Sequence, residues 1–285
     1  MARPDRLTSL REVVAEIPGG SHVALAGFAI TRNAIAFVHE LIRSGTRGLT
    51  VTQVTGGIET DLLVAAGAVD RLTYGGGSLD RFGALHAVNQ AALAGRLELT
   101  EYSALSLALR LHAGALGLPF VTTHSLIGSD LLAPLLAARQ VERIESPFDG
   151  TPCLALSPVR PDYAVVHVDV ADRSGNAVVG GPLWTIPETT RAARFVALVA
   201  EELVEIGDLD PSRVTIPGMF VHAVAHVPRG GHPTAVYGRY DYDAGHLRTY
   251  ADAGRAGPEG LDAYLERWVR GVSSFDEYLA QVGAA

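Results

Sequence analysis

The chain contains no lysine: all 23 of its basic residues are arginine. That excludes a Walker A phosphate-binding lysine, a pyridoxal Schiff base and a lysine-dependent aldolase mechanism. Cysteine is nearly as scarce, with Cys153 alone in 285 residues. Neither an internal disulfide nor a cysteine-rich zinc site can therefore form. Within TPCLAL, Cys153 reads as a buried, inert thiol on an apolar strand. No apolar run approaches the ~18 residues of a membrane span. The opening MARPDRLTSLREVV lacks the apolar core of a signal peptide, so a cytoplasmic chain without membrane contact is expected. A net charge of −8 argues against a nucleic-acid partner, which requires a basic face.

What the chain does have is alternation. Apolar runs at about 22–27, 49–54, 70–74, 97–100 and 119–123 read as strands. Amphipathic segments between them, at about 32–44, 59–67, 82–95 and 103–116, read as helices. This spacing predicts an α/β fold, an open and mostly parallel sheet with helices on both faces. YAVVHVDVAD (163–172) and FVALVAEEL (195–203) add two strands, and 204–240 reads as irregular with short strands. Amphipathic C-terminal helices follow from about 240, giving a single domain over 1–285 with a helical appendage.

The first candidate site is VALAGFAITRN, residues 23–33, an apolar run that stops at Gly27 and opens a helix. It lacks the remaining glycines of G-x-G-x-x-G, and no acid closes the next strand near 54, so a dinucleotide site is not expected. The backbone N–H groups of Gly27 and Phe28 suit an oxyanion or a carboxylate. The alternative is a tight turn that needs glycine for its geometry alone. HAVAH spaces His222 and His226 like a metal pair, but the glutamate of H-E-x-x-H is missing and Val224, Val227 and Pro228 fit a strand end. No metal site is expected. His167 and Asp169 share one face of their strand, a spacing that is commonly structural. GGGSLD is not a nucleophile elbow around Ser78. Glu101 closes a strand where ligands bind in open α/β sheets, or is a solvated acid near a helix N-terminus. VDVADRSGNAVVGG reads as a hairpin turning at Gly175-Asn176.

Taken in order, four of these stretches resemble a known family. Strand-G-F-x-x-x-R, E-Y-S…A-G-A-x-G-L-P-F, D-L-L and A-D-x-x-G-N-A are similar to the A subunits of class I coenzyme A transferases of the glutaconate CoA-transferase type. The resemblance spans about residues 8–205. It implies the CoA-transferase (NagB-like) fold and transfer of CoA between carboxylic acids through a glutamyl-CoA thioester. It also implies a B-type partner, in a heterodimer or heterotetramer, that supplies the catalytic glutamate. Coenzyme A would be a thioester substrate, with no permanently bound cofactor, and the co-substrate a small carboxylic acid. Carried over by residue, Gly27 and Phe28 match the glycine-rich turn lining the active site, and Arg32 the basic residue after it, suited to holding a carboxylate. Ser78 and Glu101 match stretches facing the acyl pocket. The turn here reads G-F-A where G-F-G is common. A related branch pairs A and B subunits that hydrolyse a carbon–carbon bond of a CoA-linked ring in steroid degradation. There an A-subunit glutamate is implicated, for which Glu101 is the nearest acid. A third reading is an acyl-CoA-binding protein without turnover.

Overall fold

The computed structural model describes residues 4–284. A short helix α1 (Leu10–Ala15), capped by Ser9 and Glu12, leads into β1 (His22–Leu25). Strands and helices then alternate: α2 (Ile35–Ser44), β2 (Leu49–Gln53), α3 (Ile58–Ala65), β3 (Val69–Tyr74), α4 (His86–Leu93), β4 (Glu98–Glu101) and α5 (Ala104–Ala115). Next come β5 (Val121–Thr123), α6 (Leu132–Ala137), β6 (Val141–Glu145) and β7 (Pro152–Leu156). The second half holds β8 (Tyr163–Asp172), β9 (Ala177–Val178), α7 (Ile186–Ala192), β10 (Phe195–Val204) and β11 (Ala223–His226). Helices α8 (Ala244–Arg255), α9 (Pro258–Leu265) and α10 (Phe275–Val282) close the described chain. Among the described residues no helix is long and apolar enough to cross a membrane.

The large sheet runs β11-β10-β8-β1-β2-β3-β4, with all neighbours parallel and β9 hairpinned antiparallel onto β8. β8 and β10 are Val- and Ala-rich and buried along most of their length, as strands covered on both faces must be. From β1 the chain steps outward to β4, then returns to place β8 on the other side of β1. The order therefore reverses between β1 and β8. In such sheets the crevice beyond the strand C-termini at that reversal is where ligands bind.

Three sequence expectations need correction. The strand at 119–123 lies outside the parallel sheet: β5 pairs antiparallel with β7 in a separate sheet of order β5-β7-β6. Val121-Thr122-Thr123 is short, and Thr122 is exposed between partly buried neighbours, a half-covered pattern that a doubly covered parallel strand cannot accept. The helix expected from 32 begins at Ile35, because Arg32 takes φ 55°. The helix expected from 82 begins at His86, after a 3-10 turn over Asp80–Phe82. By contrast HAVAH is a strand end: β11 ends at His226, and His222 Nδ1 accepts from the Val196 N–H at 3.1 Å. Cys153 is buried on β7.

The C-terminal helices share the main core, with Leu261, Tyr264, Phe275 and Tyr278 packed among residues from α2, α3 and α4. Three buried histidines sit there. His246 Nε2 lies 2.6 Å from the Tyr264 hydroxyl, and His232 is placed between Tyr278 (2.9 Å) and Asp243 (3.2 Å). The His39 ring packs edge-on against Phe275 and Tyr278. Burial first, and the neighbouring His232 second, push His246 down to about 4 from 6.5, with Asp243 opposing. Folded His246 therefore stays neutral while an unfolded chain would take up a proton. Its contribution to stability is present above its ordinary value and is lost as pH falls toward about 4. Thermal melts of wild type and His246→Phe between about pH 7 and about pH 4 should show the variant's deficit shrinking as pH falls. A deficit constant across that window would mean His246 does not titrate this way.

Candidate active site

Four loops leave the C-terminal ends of β1–β4 side by side, and their backbones continue the sheet as a shelf. Ala29 N donates to Thr55 O (3.3 Å), Gly56 N to Gly76 O (2.9 Å), Ser78 N to Gly56 O (3.1 Å) and Tyr102 N to Tyr74 O (2.9 Å). Packing is closest where the first two loops meet. A Cβ on Gly57 would lie 1.8 Å from Ala29 O, so only glycine fits there.

Beneath the shelf lies an acid that the sequence reading did not single out. Glu59, fully buried in the first turn of α3, reaches under the Gly27 turn. Its Oε1 accepts from Gly27 N (3.1 Å) and Gln53 Nε2 (2.5 Å), and its Oε2 from Ala34 N (2.8 Å). Gln53 also donates to Gly27 O at 2.9 Å, while Thr60 donates to Gln53 Oε1. Burial pushes the Glu59 carboxyl up to about 7, against the pull of those three donors. All three partners present N–H groups, so the arrangement is that of the carboxylate. The turn's glycine is explained by the same acid: a Cβ on Gly27 would sit 2.2 Å from Glu59 Oε1 and 3.0 Å from the Asn33 Cα.

This corrects the reading of Gly27 and Phe28 as free donors. Gly27 N–H is taken by Glu59, and Phe28 N–H is bonded to Thr31 O at 2.9 Å. What Phe28 presents outward is its ring, 36% exposed and stacked on Trp184 with centroids 4.7 Å apart. Arg32 is corrected too. Its side chain is buried, with Nη1 2.9 Å from Asp169 Oδ2 and Nη2 donating to Gly180 O at 2.8 Å. Gly180 N in turn donates to Asp169 Oδ2 at 2.6 Å, and Arg239 approaches Asp169 Oδ1 at 3.3 Å. An arginine so engaged is not available to clamp a substrate carboxylate. His167, on the same face of β8 as Asp169, lies 2.7 Å from Glu201 of β10. Tyr240 donates to the same Glu201 oxygen, and Arg229 N to the other at 2.6 Å. Burial raises the Glu201 carboxyl, but those bonds outweigh it and hold the group below its ordinary value.

Ser78 and Glu101 do lie on the shelf. Ser78 is partly exposed, its hydroxyl oriented by the Asp80 N–H at 3.1 Å. Glu101 is exposed at the end of β4, opposite Tyr74 of β3. Burial, then the Glu101 carboxylate, push the Tyr74 hydroxyl up to about 12. The E-Y-S motif divides its work: Tyr102 is buried and donates to Gln140 (2.6 Å), while Ser103 caps α5 by accepting from Ser106 N (3.1 Å). Among the described residues no group of three or more His, Cys, Asp and Glu is placed to hold a metal ion.

Residues 7–226 match the coenzyme A transferase family, and the chain belongs to it. It is 34% identical over 280 residues to the A subunit of the 3-oxoadipate CoA-transferase of Pseudomonas knackmussii, covering 97% of this chain and 98% of that one. The crystal structure of glutaconate coenzyme A-transferase from Acidaminococcus fermentans superposes with a TM-score of 0.91 at 28% identity, over 98% of this chain and 93% of that one. The IpdA subunit of a cholesterol ring-cleaving hydrolase from Mycobacterium tuberculosis is 31% identical, over 98% of this chain and 97% of its own length. The chain is thus an A-type subunit of the CoA-transferase fold.

The Glu59 arrangement has a direct test. Glu59→Gln turns one acceptor into an N–H₂ group facing a backbone N–H that has no other partner. A buried donor left unpaired costs about 1–3 kcal/mol. Thermal denaturation of the variant should show a midpoint several degrees lower, and an unchanged midpoint would remove Glu59 as the anchor of the turn.

Proposed function

We propose that this chain is the A subunit of a heteromeric CoA-transferase, acting with a B-type partner to move CoA between an acyl-CoA and a small carboxylic acid. The observation that carries this is the state of the acids at the strand ends. Glu59 is consumed by backbone amides, Asp169 by Arg32 and Arg239, and Glu201 by His167 and Tyr240. With Glu101 the one exposed acid named at these strand ends, the chain supplies mainly a formed shelf, which suits a subunit whose partner brings the glutamate. In that chemistry a carboxylate attacks the thioester carbonyl, giving a mixed anhydride and CoA thiolate. The thiolate then attacks the glutamyl carbonyl and releases the donor acid, leaving glutamyl-CoA. The acceptor acid reverses the two steps. Negative charge builds on carbonyl oxygens at each attack, where oriented donors lower the barrier. In this reading the exposed Gly77 backbone and the partly exposed Ser78 hydroxyl would serve such an oxygen, with the Phe28–Trp184 stack as an apolar surface of the site.

Incubating the chain and its B-type partner with an acyl-CoA should leave a glutamyl-CoA adduct, located by mass spectrometry on the partner. An adduct on this chain would sink that division of labour between the two subunits.

A second reading, a ring-cleaving hydrolase component, is favoured by one feature: Glu101 is exposed at a strand end beside Tyr74. Under it, Glu101→Gln abolishes turnover while the complex still assembles. Under the transferase reading the same variant keeps forming the adduct on the partner, and the two outcomes separate the readings.

A further inference from the structure

The family match stops at residue 226, where β11 ends. The next stretch, 229–243, does not leave the site. It crosses back over the strand ends and lies along the loop that follows β1. Arg32 N donates to Ala235 O (2.8 Å), Ala235 N to Ile30 O (3.0 Å) and Ala36 N to Gly230 O (2.9 Å). Asn33 N donates to Thr234 Oγ1 at 3.2 Å, and Thr31 pairs with Ala235 as an isolated parallel bridge.

The loop needs outside support. Ala29 at φ 49° and Arg32 at φ 55° are left-handed without being glycine. Such residues persist only where the surroundings over-determine them. Glu59 grips the loop from beneath, and the strap of 229–243 grips it from above. The strap is fastened in its turn. Tyr240 donates to Glu201 and accepts from Gly231 N (3.2 Å), and Thr234 Oγ1 donates to Gly231 O (2.6 Å). Arg239 pairs with Asp169 (3.3 Å) and Glu202 (3.0 Å). At its far side His232 sits 2.9 Å from the Tyr278 hydroxyl of α10, and 3.2 Å from Asp243, the cap of α8.

We infer that the 229–243 strap is a positioning element of the active site. Tyr240 and Thr234 fix the conformation of the Gly27–Arg32 turn, and His232 ties that conformation to the C-terminal helices. The part of the chain beyond the family match is then what sets the geometry of its first site loop. This rests on the reading of that turn as lining the site, but its test needs no substrate, so the strap and the transferase assignment fail separately.

The test is residue-resolved amide hydrogen exchange on the full chain, wild type against Tyr240→Phe. The substitution removes one hydroxyl that touches neither Arg32 nor Ala36. The expected result is exchange about tenfold faster at the Arg32 and Ala36 amides, the size of effect that goes with losing one hydrogen bond to a charged group. The β2 amides, which the strap does not touch, should keep their wild-type rates. Unchanged rates at Arg32 and Ala36, with Gly231 alone accelerated, would overturn the inference. So would a uniform acceleration through β1, β8 and β10, which marks global loosening. Should Tyr240→Phe not yield folded protein, Tyr278→Phe removes only the hydroxyl against His232. It should speed the same two amides to a smaller degree, and wild-type rates there would overturn the inference equally.

Discussion

A single buried carboxylate holds the first strand, the second strand and two helices in one arrangement. The N-cap of α2 is Ala34, whose methyl side chain cannot cap it. The cap comes instead from Glu59 of α3, which also takes the amide of Gly27 and the side chain of Gln53. An anion at a helix N-terminus is favoured by the helix dipole as well as by the hydrogen bonds. Against this stands the cost of removing a charge from water, which shows as the rise of its pKa toward neutrality. The glycine at 27, the left-handed Ala29 and the inward turn of Arg32 all lie within the loop that this acid anchors.

Charge on the ligand side follows from the same design. Arg32 and Arg239 pair with Asp169 of β8, and His167 is hydrogen-bonded to Glu201 of β10. A buried ion pair of this sort is costly to break from one side, because the remaining charge is left uncompensated. The shelf above is accordingly made of glycine backbone, Ser78, an aromatic stack and one exposed acid. Such a surface suits the proposed reading, in which the reactive carboxylate belongs to a partner subunit.

Much of the scaffold is legible in the amino-acid sequence. β1, β2, β8 and β10 are buried along most of their length, so their apolar runs stand out. The placing of Glu101 and Ser78 at strand ends is legible because Glu101 closes, and Ser78 follows, a short strand pattern. The engagement of Gly27 and Arg32 is not legible, because their partners lie far along the chain at 59, 169 and 180. One signal for Glu59 does exist. IETDLLVA is apolar on every side but for its first turn, and a helix of that kind is buried, acids included. One strand of the small sheet, β6, escapes for a different reason. VERIE sets Val141 and Ile144 three apart among charged residues, without the period of two that marks a strand, and it is its pairing with β7 that makes it one.

Chain order adds one further consequence to the strap. Asn33 finds its hydrogen-bond partner in Thr234, 201 residues later. Ribosomes add roughly 5–20 residues per second, so the loop waits roughly 10–40 s after its own synthesis before the segment that closes over it exists. Strands β1 to β4 and their covering helices are made within that interval and pair with near neighbours. The final conformation of the loop after β1 thus waits on chain made late in synthesis.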